Sequence, residues 1–272
     1  MLVLGHRGAA GRPGRPENTL PAVRAAAAAG AAGVEVDVRL TRDGVLVCAH
    51  DPDLGRVLGL GSGRGPGVAA TAWAALRRVR LPGGAGVPAL DSVLDLASRT
   101  GLRVVTELKP LPGPDRLATA RALAGLLERR RALSPTGDRV TVSSFDPLAV
   151  SALAGRGPHR TALLVEEWVP ADRAVRRARR LGLDELHLPL ATARAGSPVV
   201  RRAHEAGLRV VVWTVDDPAD LAALALAGAD AVISDDPAAA LAALGGHRSA
   251  EVPARPAGPG VRPGRAALAA RS

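Results

Sequence analysis

Tyrosine and glutamine are missing from this 272-residue chain, and lysine, asparagine, phenylalanine, isoleucine and cysteine occur once each, as Lys109, Asn18, Phe145, Ile233 and Cys48. One cysteine excludes an internal disulfide framework and any cysteine-based zinc cluster. Cys48 precedes His50 in an apolar run and reads as a buried thiol. Aromatic residues make up only 1% of the chain against 47% apolar residues, so the core must be built of Leu, Val and Ala. No stretch approaches the roughly 18 apolar residues of a membrane span. Met1 leads through Leu2-Val3-Leu4 straight into Gly5-His6-Arg7-Gly8, without the cationic start or cleavage site of a signal peptide. A cytoplasmic protein without a stable membrane anchor is expected, and nothing in the sequence specifies an oligomeric state.

Arginine is what the chain has instead. Lysine and arginine total 36, so the single Lys109 leaves 35 arginines, and the formal charge is +10. The stretch from Gly245 to Ser272 carries five arginines against Glu251 alone, and removing it leaves about +6. Basic charge suggests nucleic acid. Against that, the arginines are scattered along predicted helices, and there are almost no aromatic side chains on which bases could stack, so no nucleic-acid partner is expected. A residue type that survives once in so skewed a composition can mark a place where its substitute fails. Lysine is a compact charge on a flexible stem, whereas arginine is a wide planar fork.

Short β-branched or leucine-rich runs alternate with alanine-rich helical stretches. Strands are expected at Leu2–Leu4, Val34–Val38, Leu102–Glu107, Arg139–Ser143, Thr161–Val165, Glu185–Leu188, Arg209–Trp213 and Ala231–Ile233. Their near-continuous apolar character fits a parallel sheet covered on both faces. Eight strand–helix units within residues 1–244 match an α/β fold of the (β/α)8 TIM-barrel type. A doubly wound sheet would place a glycine-rich turn after its first strand; here that turn holds His6-Arg7. Thr41-Arg42-Asp43-Gly44 signals a hairpin, and folding about Arg42-Asp43 sets Glu35 roughly opposite His50 and Asp37 roughly opposite Cys48. The Gly/Pro-rich insertion from Leu54 to Gly86, with one short helix near Thr71–Arg78, reads as a small, mobile cap. Its Gly59-Leu60-Gly61-Ser62-Gly63 run follows no strand, opens no helix and has no lysine, so it is no phosphate loop. The tail 245–272 reads as a disordered basic segment.

Chemistry-bearing residues gather at the carboxyl ends of the expected strands: His6 and Arg7, Glu35 and Asp37, Glu107 and Lys109, Ser144, His187, Trp213 and Thr214, Ser234 and Asp235. In barrels this is the catalytic end. Residues two apart on a strand share a face, so Glu35 with Asp37, and Glu107 with Lys109, can converge at the mouth. Each like-charge carboxylate pair at about 4 Å costs roughly 4 kcal/mol at an effective dielectric near 20. One lysine cannot offset three such repulsions; a hard divalent cation can, and an all-carboxylate set favours Mg2+, Ca2+ or Mn2+ over zinc. His6 and His50 flank the cluster and suit proton transfer on opposite sides of one bond. Arg7 offers a fork for phosphate oxygens. Glu17 can reach back to Arg7 or His6, and either Asn18 or Thr19 caps the first helix. His159, His204 and His247 read as packed or surface residues, and His187 as structural or peripheral.

With these residues placed, the chain resembles the glycerophosphodiester phosphodiesterase family. The matching pieces run in the family's order: His6-Arg7-Gly8, Pro16-Glu17-Asn18-Thr19, Glu35-Val36-Asp37-Val38, Thr41-Arg42-Asp43-Gly44, His50-Asp51-Pro52, Pro88-Ala89-Leu90, Glu107-Leu108-Lys109, Ser144-Phe145, Trp213-Thr214-Val215 and Ile233-Ser234-Asp235. The resemblance implies hydrolysis of a small-molecule glycerophosphodiester to glycerol 3-phosphate and an alcohol. It implies one divalent metal ion on Glu35, Asp37 and Glu107, and His6 and His50 as the acid–base pair. Arg7 and Lys109 would hold phosphate, Trp213 would stand beside the substrate, and Glu17, Asn18 and Asp51 would support from behind. Headgroup, metal identity and the division of labour between the histidines stay open. So do a lysophospholipid or other lipid phosphodiester as substrate, and a non-catalytic phosphate-binding barrel. Departures are an apparent insertion at residues 11–15, Ala89 for the usual Thr or Ser, Asp216 for the common Asn, and Ser234 for Thr.

Overall fold

The computed structural model describes residues 1–10, 15–110, 115–133, 139–194 and 197–245. Most of the rim insertion, and the tail with His247, lie outside them. Nine strands are present among the described residues: β1 (Leu2–Gly5), β2 (Gly33–Leu40), β3 (Leu46–Cys48), β4 (Arg103–Leu108), β5 (Val140–Ser144), β6 (Arg160–Leu164), β7 (Glu185–Pro189), β8 (Arg209–Trp213) and β9 (Ala231–Ser234). All but β3 are parallel neighbours, and the β1–β2 and β1–β9 pairings close them into an eight-stranded barrel with helices between successive strands. The expected fold is the observed one.

Helix starts are written locally. Thr19, not Asn18, caps the helix Leu20–Ala28 by accepting the Ala22 N–H. Asp-Pro recurs after β5, β8 and β9: Asp146, Asp217 and Asp236 accept first-turn N–H groups while Pro147, Pro218 and Pro237 supply the fixed φ of a first helical residue. A short helix at Leu190–Ala193, which the sequence pattern did not suggest, follows β7 directly.

The antiparallel partner β3 is shifted by one residue from the expected register. Val38 faces Cys48, and the Ala49 N–H reaches the Asp37 carbonyl, so Asp37 lies opposite Ala49 rather than Cys48. The cause is an odd-numbered loop. Val45 N–H bonds to Thr41 Oγ1, and Gly44 turns through a positive φ of 81°, which absorbs one more residue than a two-residue turn would. The insertion that follows is small but packed. Val47, Ala49, Leu54, Val68, Leu76, Leu81 and Val87 form an apolar core of their own beside the barrel.

Strand parity organises everything else. Outward residues such as Val34, Val36, Val104, Val142, Leu186, Val210 and Val232 pack against the helices in two large clusters. Inward residues Leu2, Leu4, Val105, Val211, Ala231 and Ile233 fill the middle of the barrel. Continuing that inward set toward the strands' carboxyl ends reaches Glu35, Asp37, Glu107, His187 and Trp213. Continuing it the other way reaches Arg103, Arg160, Glu185 and Arg209.

Candidate active site

The carboxyl end of the barrel opens into a cavity of about 400 Å³ whose walls include His6, Arg7, Glu35, His50, Glu107, Lys109, His187 and Trp213. The loop after β1 makes the first approach possible. A Cβ on Gly5 would stand 2.1 Å from the Gly8 carbonyl oxygen, and Gly8, at φ 91°, presses against Ala22, where a Cβ would meet backbone at 2.7 Å. Close packing of this turn on the first helix aims His6 and Arg7 at the mouth.

Glu35, Asp37 and Glu107 come together as the strand spacing requires: one oxygen from each lies within 4.8 Å of the others. Glu35 Oε2 accepts the Arg7 backbone N–H at 3.0 Å, but its buried Oε1 has no hydrogen-bond partner among the described residues. Asp37 Oδ2 accepts from Asn18 Nδ2 at 2.7 Å and stands 3.3 Å from Arg7 Nε, while Oδ1 lies 2.9 Å from Lys109 Nζ. Lys109 also donates to Glu107, so the single lysine of the chain sits between two carboxylates.

The electrostatics follow from crowding. Burial, with the charges of Asp37 and Glu107 nearby, pushes Glu35 up to about 8. Burial also raises Glu107, against the pull of Lys109. Burial acts on Asp37 in the same direction, but Lys109, Arg7 and the Asn18 hydrogen bond outweigh it and hold its carboxyl below the ordinary range. An orphaned carboxylate oxygen beside two further hard oxygen donors fits a divalent cation.

Both histidines are oriented by carboxylates. His6 Nδ1 lies 2.6 Å from Asp235 Oδ1, and His50 Nδ1 lies 2.7 Å from Asp51 Oδ1. A carboxylate only accepts, so each Nδ1 carries a proton and each Nε2 is left for the cavity. Burial opposes the charging of His6, yet the Asp235 hydrogen bond and the Glu35 charge raise its pKa above the ordinary value. Asp51 further accepts from Arg56 Nε at 2.5 Å, Arg56 reaches Glu17 through NH2 at 2.5 Å, and Glu17 accepts from Arg7 NH1 at 2.9 Å. A continuous ionic chain thus joins the Arg7 turn to the His50 turn. Arg39 steadies the same turn by donating to the His50 carbonyl from Nε and NH2.

Every expected site residue therefore lies at or beside this mouth. Asn18, one candidate for the helix cap, has another role. It adopts a left-handed φ of 58°, donates to Asp37 through Nδ2 and accepts the Asp37 N–H at Oδ1. Sequence reasoning did not assign Asp235, Arg56 or Arg39 to the site. Asp235 was visible at a strand end, and β1–β9 adjacency is what pairs it with His6; Arg56 and Arg39 were hidden among 35 arginines. Of the structural and peripheral readings, His187 fits the first: it is fully buried, lines the cavity, pairs through Nε2 with Glu185 at 3.1 Å, and has no partner at Nδ1 among the described residues. Trp213 packs edge-on against Phe145, with ring centroids 5.9 Å apart, and its indole N–H is buried without a partner among the described residues.

Comparison with known proteins places this geometry in company. Residues 6–239 match the glycerophosphoryl diester phosphodiesterase family. The chain is 31% identical over 220 residues to the Mycobacterium tuberculosis protein named probable glycerophosphodiester phosphodiesterase 2, covering 74% of this chain and 75% of that one. A phosphodiesterase of Oleispira antarctica, solved with its product sn-glycerol-3-phosphate, superposes with a TM-score of 0.77 at 27% identity, covering 90% of this chain and 97% of that chain. A glycerophosphodiester phosphodiesterase of Parabacteroides distasonis gives 0.75 at 27% identity, with coverage of 90% and 97%.

Proposed function

The chain belongs to the glycerophosphoryl diester phosphodiesterase family and is a phosphoric diester hydrolase; from that premise we propose that it cleaves small glycerophosphodiesters to sn-glycerol 3-phosphate and an alcohol, with a divalent cation on Glu35, Asp37 and Glu107 and with His6 and His50 as the acid–base pair. The observation that carries this reading is the convergence of the three carboxylates and the two carboxylate-oriented imidazoles on one cavity. The product seen in the Oleispira antarctica neighbour supports the same outcome.

When bound, the cation would neutralise a phosphate oxygen and stabilise charge building on it in the transition state. One imidazole Nε2 takes the proton of an attacking water as its oxygen bonds to phosphorus. The other, starting as the imidazolium, gives its Nε2 proton to the alkoxide that leaves as the opposite P–O bond breaks. Asp51 and Asp235 keep the two rings in the required tautomer. Arg7 and Lys109 face the phosphate oxygens, Trp213 walls the substrate, and Glu17 and Asn18 hold Arg7 and Asp37 in place. Residues 1–244 make up the catalytic unit.

A second reading, hydrolysis of a lysophospholipid by the same machinery, draws on Trp168 and Leu148, which are 77% and 51% exposed just past the carboxyl ends of β6 and β5. Trp73 offers it little, since that ring packs on the insertion's own core. The test is coupled detection of glycerol 3-phosphate from several headgroup diesters, and of the released headgroup alcohol from a long-chain lysolipid, with chelator and then with Mg2+, Ca2+ or Mn2+ restored. Release from the short diesters that needs the cation supports the proposal. Faster turnover of the lysolipid favours the second reading, and no release from any diester overturns both.

A further inference from the structure

The opposite end of the barrel carries a feature the reaction does not use. Inward parity places Arg103, Arg160 and Arg209 at the amino-terminal ends of β4, β6 and β8, and Arg139 stands just before β5. These four side chains line a second cavity, of about 260 Å³, under the ceiling made by Leu4, Val105 and Val211. Among the described residues Glu185 is the only carboxylate lining it. That carboxylate is shared thinly: Arg160 NH1 lies 3.4 Å away, Arg209 Nε 3.8 Å, and the other oxygen is taken by His187 at 3.1 Å. Arg209 has a further carboxylate at 3.5 Å, Asp230, which already accepts from His204 and from the Val210 N–H.

An abundance of arginine does not explain this placement. Surface arginines in the chain extend into solvent from helices, as Arg176, Arg177, Arg179 and Arg180 do on Ala171–Arg180. Arg103, Arg160 and Arg209 instead occupy the interior-facing register of a barrel whose next layer up is apolar, and the exposed Arg139 lines the same hollow from just before β5. Burial first, and then the charges of Arg160, Arg139 and Arg209, depress the Arg103 guanidinium below its ordinary value, as expected where cations are crowded. Planar guanidinium forks converging on one hollow are the donor geometry that phosphate oxygens select.

We propose that the barrel floor is an anion-binding site, in which Arg103, Arg139, Arg160 and Arg209 take a small multivalent oxyanion of the phosphate or phosphomonoester class. It is distinct from the catalytic mouth and does not depend on the hydrolytic reading. Glu185 joins the two ends, since it lines the floor and holds His187, which lines the mouth.

Calorimetric titration of the chelator-treated full chain tests this, with inorganic phosphate, pyrophosphate and ribose 5-phosphate as probes at constant ionic strength. The expected result is one saturable site with Kd below about 1 mM for at least one probe. It should persist in His6→Ala and weaken by about tenfold or more in both Arg103→Gln and Arg139→Gln. The relative affinities of the three probes distinguish a free phosphate ligand from a phosphomonoester. Should either arginine variant fold poorly, melting of the unmodified protein decides: pyrophosphate, and not matched chloride, must raise Tm. Absence of saturable binding, affinity unchanged in both arginine variants, or loss of binding in His6→Ala would overturn the proposal.

Discussion

Lys109 shows how little freedom one position can have. Its Nζ is held by Asp37 and Glu107 in a space that leaves the side chain 11% exposed. An ammonium can sit between two carboxylates there; a planar guanidinium three atoms across cannot without displacing one. Lys109→Arg, which keeps the charge, should therefore cut kcat at least about tenfold, and the comparison with Lys109→Met separates shape from charge. His6→Ala and His50→Ala should each lower kcat by roughly 10²–10⁴-fold with circular dichroism unchanged, as expected for loss of a proton-transfer group. Asp51→Asn and Asp235→Asn should cost less, because the imidazole stays but its tautomer is no longer fixed. Much of this residue-level picture was legible in the sequence. The Glu35–Asp37 and Glu107–Lys109 spacings alone put four charges on one face of two neighbouring strands. Asn18 was half legible: its place before the first helix suggested a cap, but its two hydrogen bonds to Asp37 depend on a contact 19 residues away.

At the level of elements, the insertion after β3 is the part that sequence pattern described least well. Glycine and proline content suggested a loose cap, whereas burial of Leu54, Val68, Leu76, Leu81 and Val87 makes it a lobe with its own core. The apolar residues are too widely spaced to show a helical or strand period, so their convergence is a tertiary fact. The one-residue register shift of β3 has the same origin, since turn geometry around Gly44, and not strand composition, sets it. Leu76 is fully buried in the lobe. Leu76→Ala should destabilise it by about 2–5 kcal/mol. Hydrogen exchange should then quicken across the insertion while β4 to β9 stay protected. Because His50 is held through Asp51 and Arg56 at the lobe's root, kcat should fall in the same variant more than KM rises.

For the whole molecule, the acidic cluster ties stability to pH. Glu35 stands at about 8 against an ordinary 4.5. The metal-free fold therefore favours its protonated form, and the associated stability, full below about 4.5, is lost as pH rises through about 8. His6, raised in the fold, acts in the same direction. The lowered Asp37 acts oppositely, but only in acid. In chelator, Tm should fall between pH 5.5 and 8.5. Restored cation should raise it by about 5–10 °C at a hundredfold excess over Kd, and by more at the alkaline end, where protons no longer compete for Glu35. No such gain at either pH would remove the cation from Glu35, Asp37 and Glu107. The barrel itself was readable from eight apolar runs at regular intervals, and its catalytic end from the polar residues that follow them. Its floor went unread, because attention to strand carboxyl ends passes over residues such as Arg103 and Arg209, which share the inward parity of Glu107 and Trp213. A reagent specific for primary amines meets one lysine side chain in this sequence, Lys109, and finds it masked by carboxylates that keep it protonated. Acylation at pH 7 should thus spare Lys109 in the closed protein, and any label found there becomes a chemical clock for opening of the mouth.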